Sequence, residues 1–348
     1  MKPAWKDFLT HNGAEIEDYS VTTFGNPERE LRAAVGGNVI CDLSQYGLIS
    51  AVGDDVTTFL QGQLTNDVSA VSETHSQLAG YCTHKGRMLA NFRLFRNGDM
   101  TYLRLPRELV ETALARLRMF VLRSDVTLED ANDALVRVGL VGPDAEAELT
   151  AALGDAPEEV GDGVSTPNIQ AIRVPGTEGR PRYEIYGELD AMTRLWEKLN
   201  VNCAPVGSEA WRLWEVLSGT PTVYEATSEA FVPQMANMGL LDGISFNKGC
   251  YTGQEVIARM EYLGALKRRL YLMRCDSGEG APGQEVFRSD KGGSVGKVAD
   301  AARHPDGGQA LLAVIQISAE EAELHLGSQD GPELRIEPLP YEFDRAES

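Results

Sequence analysis

The 348-residue sequence has no CxxC pair, no internal repeat, no low-complexity linker and no run near the roughly 20 apolar residues that span a bilayer. Its opening, MKPAWKDFLTHNGAEIEDYS, lacks the apolar core of a secretory signal. These absences predict a cytoplasmic protein, long enough for two or three packed units. Five cysteines (Cys41, Cys82, Cys203, Cys250, Cys275) and five histidines show no metal-ligand spacing, so neither a structural zinc site nor a disulfide framework is expected. Burial is the default role of each thiol.

Basic side chains are also in deficit: 32 Lys plus Arg face 52 Asp plus Glu, for a formal charge of -20. That balance opposes general binding to nucleic acid or anionic lipid. The few cations are nevertheless clustered. Between residues 85 and 123, Lys85, Arg87, Arg93, Arg96, Arg104, Arg107, Arg116, Arg118 and Arg123 face only Asp99, Glu108 and Glu111; Arg259, Lys267, Arg268, Arg269 and Arg274 form a second group. Each group reads either as solvated faces or as an anion-binding face.

Short strands alternate with helices in the first third. The apolar run from Gly47 to Val52 ends at Gly53-Asp54, and Val56, Phe59, Leu60 and Leu64 then recur at helical spacing after a cap at Asp54 or Asp55. Asn97-Gly98-Asp99 predicts a hairpin between strands at Phe92–Arg96 and Met100–Leu105, and Pro106 a helix start, with Leu109, Val110, Ala113, Leu114, Leu117 and Val121 buried. A second mixed unit has a strand at Leu135–Val141 and helices at Leu189–Leu199 and Ser208–Leu217. After Gly264 come short runs at Arg269–Arg274, Gln284–Phe287, Ser294–Val298, Leu311–Ile317 and Leu334–Glu337, punctuated by Gly, Pro and Asp; they predict a small β-barrel or sandwich.

The most specific string is Lys248-Gly249-Cys250-Tyr251-Thr252-Gly253-Gln254-Glu255, followed by Val256-Ile257-Ala258-Arg259. The pattern predicts a tight turn entering a helix just after Cys250. A thiol at a helix N-terminus beside Lys248 would be held toward the thiolate. A cysteine in a Gly-rich turn is most often a small buried thiol, but Lys248, Tyr251, Gln254, Glu255 and Arg259 around it are hard to explain as core packing. None of this specifies a reaction.

This octapeptide resembles the signature of the YgfZ family, folate-binding relatives of the glycine-cleavage T-protein that assist iron-sulfur enzymes. Leu43-Ser44-Gln45-Tyr46-Gly47-Leu48, Phe59-Leu60-Gln61-Gly62-Gln63-Leu64-Thr65-Asn66-Asp67, Lys85-Gly86-Arg87 and Ile336-Glu337-Pro338-Leu339-Pro340-Tyr341 are similar to further blocks of that family. The resemblance implies an α+β, three-lobed, T-protein-like fold, with two interleaved lobes over residues 1–265 around a folate-binding core and a C-terminal β-barrel over 266–348. It implies tetrahydrofolate or a one-carbon derivative as ligand, with Tyr46 and Trp211 lining the cavity, Arg259 and the cluster after Lys85 as candidate cations, and Cys250 at or near the cavity. Lys248, Cys250, Gln254 and Glu255 are then the residues expected to carry the chemistry.

T-proteins usually carry an acidic pair where this sequence has Ala90 and Asn91, and one of those carboxylates is essential to aminomethyl transfer. A neutral side chain cannot handle the proton. The resemblance therefore favours an accessory role toward iron-sulfur client enzymes, including those that thiolate tRNA, without direct nucleic-acid or membrane binding. The alternative is a folate-dependent aminomethyltransferase or demethylase on the same fold. No cluster is expected on the protein itself, since one exposed cysteine cannot supply the four ligands a cluster usually takes.

Overall fold

The computed structural model of the chain describes residues 1–343. A five-stranded antiparallel sheet runs in the order Gln77–Cys82, Met88–Asn97, Met100–Pro106, Tyr46–Val52, Thr127–Asp130. A six-stranded sheet runs Gly163–Thr166, Ile169–Thr177, Arg180–Gly187, Val136–Val141, Val39–Asp42, Ala204–Val206, with only its last pair parallel. The chain leaves the second sheet at Asp42, enters the first at Tyr46 and returns at Val136, so the two lobes interleave. A closed barrel follows, in the order Arg268–Cys275, Gln309–Gln316, Lys291–Arg303, Glu285–Arg288, Leu324–Leu326, Glu333–Glu337.

Local chemistry explains most of these elements. The hairpin forms at Asn97–Asp99, where Gly98 takes φ +59°. The helix Val56–Gln61 follows as its spacing requires, yet Asp55 makes no side-chain cap; its carboxylate accepts the N–H of Asp125 at 2.8 Å instead. Pro106 closes a strand and does not open the next helix. A 3-10 turn, Arg107–Leu109, intervenes before Val110–Arg118. Helices Leu189–Leu199 and Ser208–Leu217 occupy the expected spans.

The helix Ser208–Leu217 joins the lobes. It buries Trp211, Leu213, Trp214, Glu215 and Val216, and it packs on the barrel strand Lys291–Arg303. Its Trp211 ring lies on Gly139 of the second sheet, where an added Cβ would stand 2.3 Å from the indole. Glycine is the residue that leaves this space. The C-terminal segment comes back across the same helix: Tyr341 donates its hydroxyl to Gly219 O at 2.9 Å.

The first basic cluster is not one surface. Arg93 and Arg104 are directly opposed on neighbouring strands and are only 4% and 8% exposed, while Lys85, Arg87, Arg96, Arg118 and Arg123 are exposed. The pleat sends alternate side chains to opposite faces, so a run of cations in sequence is divided between interior and solvent.

Candidate functional site

The Lys248–Glu255 segment is held by two other blocks of the sequence. Thr65 fastens its approach, donating through Oγ1 to Gly243 O at 2.7 Å and accepting the N–H of Ser245 at its carbonyl at 3.0 Å. Asn66 Nδ2 donates to Asp242 O at 2.5 Å and to Leu78 O at 2.9 Å. Lys248 Nζ donates to Leu64 O and Asn66 O, each at 2.6 Å, and stands 5.0 Å from the centre of the Tyr251 ring. Burial lowers its pKa to about 8 from an ordinary 10.5, against the opposing pull of Asp67.

Lys248 is therefore an anchor of the loop. Its hydrogen bonds go to carbonyls and not to the thiol. The helix also begins later than expected. It spans Gln254–Leu263 with Gly253 as N-cap at φ +87°, so Cys250 precedes the first helical residue by four positions. Helix-dipole effects fall off within one turn. Gln254 has a structural task, accepting the N–H of Tyr251 at 3.3 Å through Oε1. Cys250 is exposed, whereas Cys41, Cys82, Cys203 and Cys275 are buried, as expected. Glu255 and Arg259 both lie exposed on the helix, with no hydrogen bond or ion pair among the described residues.

A second constellation lies between the lobes. Arg104 binds Glu184, whose other partner is the hydroxyl of Tyr186, and Arg182 Nη2 meets Glu215 at 3.2 Å. The Tyr46 hydroxyl donates to Glu215 at 3.2 Å, and the Arg104 guanidinium covers that ring at 4.1 Å. The Arg182 guanidinium lies 4.9 Å from the Trp211 ring. Burial disfavours the Glu184 carboxylate, but Arg104 and Arg93 overcome it and hold its pKa below the ordinary value. Three guanidinium groups, of Arg93, Arg104 and Arg182, thus surround two carboxylates, of Glu184 and Glu215, so this constellation alone holds one more cation than anion.

Tyr46 and Trp211 are linked through Glu215 and Arg182, but they do not share an open cavity. Tyr46 reaches a cleft of about 240 Å³ lined also by Tyr19, Gln45, Arg107, Arg212 and Tyr224. Trp211 is 1% exposed, does not line that cleft, and its Nε1 has no partner among the described residues. A groove of about 720 Å³ adjoins the cleft at Ser208, Glu209 and Arg212 and reaches Arg303 on the barrel. Arg259 and the Cys250 segment line neither space.

The neutral position where T-proteins carry an acid has its own structural reason. Asn91 is buried; its Nδ2 donates to Pro221 O and its Oδ1 accepts the N–H of Val223, both at 2.8 Å. A carboxylate accepts but does not donate, so aspartate here would set an oxygen against the Pro221 carbonyl.

Two interleaved lobes, a barrel and a cleft at their junction define a protein of the glycine-cleavage T-protein fold. Residues 16–245 match the family described as GCVT N-terminal domain. The solved aminomethyltransferase T of the glycine cleavage system from Bartonella henselae superposes with a TM-score of 0.72 at 17% identity, over 97% of this chain and 96% of that one. More specifically, the chain belongs to the YgfZ family. It is 33% identical to the tRNA-modifying protein YgfZ of Klebsiella pneumoniae and 30% identical to that of Colwellia psychrerythraea, in each case over 87% of this chain and 93% of the relative.

Proposed function

We propose that the protein binds a reduced folate, tetrahydrofolate or a one-carbon derivative, and acts in the cytoplasm as an accessory to iron-sulfur enzymes, tRNA-thiolating ones among them. The observation that carries this reading is the inter-lobe cleft on Tyr46, with the rings of Tyr19 and Tyr224 and the cations Arg107 and Arg212 around it. Its volume of about 240 Å³ is below the roughly 300–1,000 Å³ of sites for drug-sized ligands, so it suits a ring system with its tail outside. The adjoining groove gives that tail room and a cation at Arg303. Contact with Trp211 requires its packing to open, which makes indole fluorescence a reporter of binding.

Cys250 lies outside both spaces, on an exposed loop fixed at its base by Lys248. That placement suits a thiol that acts on a partner surface, not on the folate ring. The name of the relatives, tRNA-modifying protein, supports a link to tRNA, which this reading routes through client enzymes because the chain carries a charge of -20. The fold alone favours one-carbon transfer as a second reading, and Asn91 opposes it. Calorimetric titration with tetrahydrofolate up to about millimolar concentration tests the proposal: saturable binding supports it, and no binding heat refutes it.

A further inference from the structure

We infer that Gln45 and Arg107 read the hydrogen-bonding edge of the ring that enters the cleft, and that they select a lactam, an oxo acceptor next to a ring N–H donor. The inference rests on the folate reading above and assigns the residues that give it specificity.

The two residues face each other where the strands Tyr46–Val52 and Met100–Pro106 end. The N–H of Arg107 donates to Gln45 O at 3.1 Å, one step beyond the pairing of Tyr46 with Pro106. Both side chains line the cleft. Among the described residues the Gln45 amide makes no hydrogen bond, and its Oε1 is a buried acceptor without a partner. The Arg107 guanidinium rests on the Tyr19 ring at 4.6 Å, and its Nη1 is a buried donor without a partner.

The other charged side chains of the cleft are committed. Arg212 pairs with Asp300 at 2.7 Å, Glu108 accepts the N–H of Glu225 at 2.7 Å, and Glu209 accepts the N–H of Arg303 at 2.8 Å. The Tyr224 hydroxyl donates to Asp300 at 3.0 Å. Among the described residues, the buried polar atoms of the cleft lining without a partner are a donor, Arg107 Nη1, and an acceptor, Gln45 Oε1.

Buried polar atoms in native structures are normally paired, so an unpaired donor and an unpaired acceptor on two residues of one cleft call for an occupant. A guanidinium only donates, and a carboxamide oxygen accepts. Their complement is an acceptor beside a donor, the –CO–NH– edge that a 4-oxopteridine presents between flanking aromatic rings. A 4-amino ring presents a donor where the oxo group should be, facing Arg107. The broad terminal torsion of glutamine lets the amide turn its oxygen into the cleft.

The test uses the full-length protein and calorimetric titration with tetrahydrofolate and with a 4-amino-4-deoxy folate. Wild type is expected to prefer the 4-oxo ligand by about tenfold or more, and Arg107→Met and Gln45→Leu each to weaken tetrahydrofolate about tenfold. Arg107→Met should also erase the preference between the two ligands. Thermal melting checks folding, with Arg107→Gln and Gln45→Met as replacements for any variant that unfolds. Unchanged affinity and discrimination in folded variants of both residues, with binding lost in Tyr46→Ala, would overturn the assignment and leave the folate reading standing. Failure of the wild type to bind either ligand would remove the folate reading and this assignment with it.

Discussion

Gly253 lies with its backbone against Gly86: a Cβ on Gly253 would stand 2.4 Å from Thr83 O and 3.1 Å from Gly86 Cα. Two blocks separated by more than a hundred and sixty residues in sequence thereby share one backbone contact, and Gly253 also takes φ +87°. Gly253→Ala should therefore destabilise the protein by about 1–3 kcal/mol or more through strain and overlap, and should loosen the loop that carries Cys250. Gly249→Ala is the control, because nothing lies within 4 Å of its Cβ direction. Urea denaturation and limited proteolysis of the two variants separate the positions; equal stability would contradict the contact.

Asn91→Asp should cost about 1–3 kcal/mol at neutral pH, the penalty of a buried carbonyl facing a group that cannot donate. A protonated carboxyl donates once, so the deficit should shrink as pH falls and the carboxyl takes up its proton. Denaturation of wild type and variant at neutral and acidic pH measures this. The variant should not gain aminomethyl transfer, since the side chain at this position is buried against the Pro221–Val223 backbone, away from any substrate amine.

The fold was largely legible because periodicity and punctuation agree with it at Ser208–Leu217, Leu189–Leu199, the Asn97–Asp99 hairpin and the barrel strands. The hairpin of Ile169–Thr177 and Arg180–Gly187 was not legible. Its strands bury Gln170, Arg182 and Glu184, and these polar residues break the apolar alternation from which a strand is read. The candidate site was legible only in part. Glycine spacing marks a turn at Cys250, but nothing local says that Lys248 is spent on Leu64 O and Asn66 O, contacts made across the fold. For the same reason nothing singles out Tyr19, or distinguishes Arg107 within its basic cluster and Gln45 within its block, since each is an ordinary residue until the lobes meet. One signal was available: like charges at Arg93 and Arg104 across the predicted hairpin require buried counter-ions, and Glu184 and Glu215 supply them.

Lys248 should titrate near pH 8, where exposed lysines stay charged. Burial disfavours its charged form, so between its folded pKa of about 8 and its ordinary 10.5 the folded chain has released a proton that the unfolded chain still holds. Its contribution to stability therefore rises with pH across that window. NMR of ¹³C-methylated lysines should show one resonance with that midpoint, absent in Lys248→Met. Titration of every lysine together near 10.5 would contradict the burial of its ammonium group.

Glu215→Gln should destabilise by about 3–5 kcal/mol, because it strips a carboxylate from two buried guanidinium groups, of Arg104 and Arg182. Thermal melting gives the loss, and near-ultraviolet dichroism should report movement of Trp211, whose ring lies beneath Arg182. A variant as stable as wild type would mean that the network is not paired as described.

Cys250 is exposed where the other four cysteines are buried, so native protein should take up one alkyl group per chain from iodoacetamide, at Cys250. Cys250→Ser preserves side-chain volume and removes only thiol chemistry, and it should fold and bind tetrahydrofolate as wild type does. The decisive measurement is the activity of iron-sulfur enzymes, together with the level of thiolated tRNA bases, in a bacterial strain that lacks its own copy and expresses either form. Restoration by wild type and failure by Cys250→Ser is the outcome the account predicts; full restoration by the folded, folate-binding serine variant would contradict it.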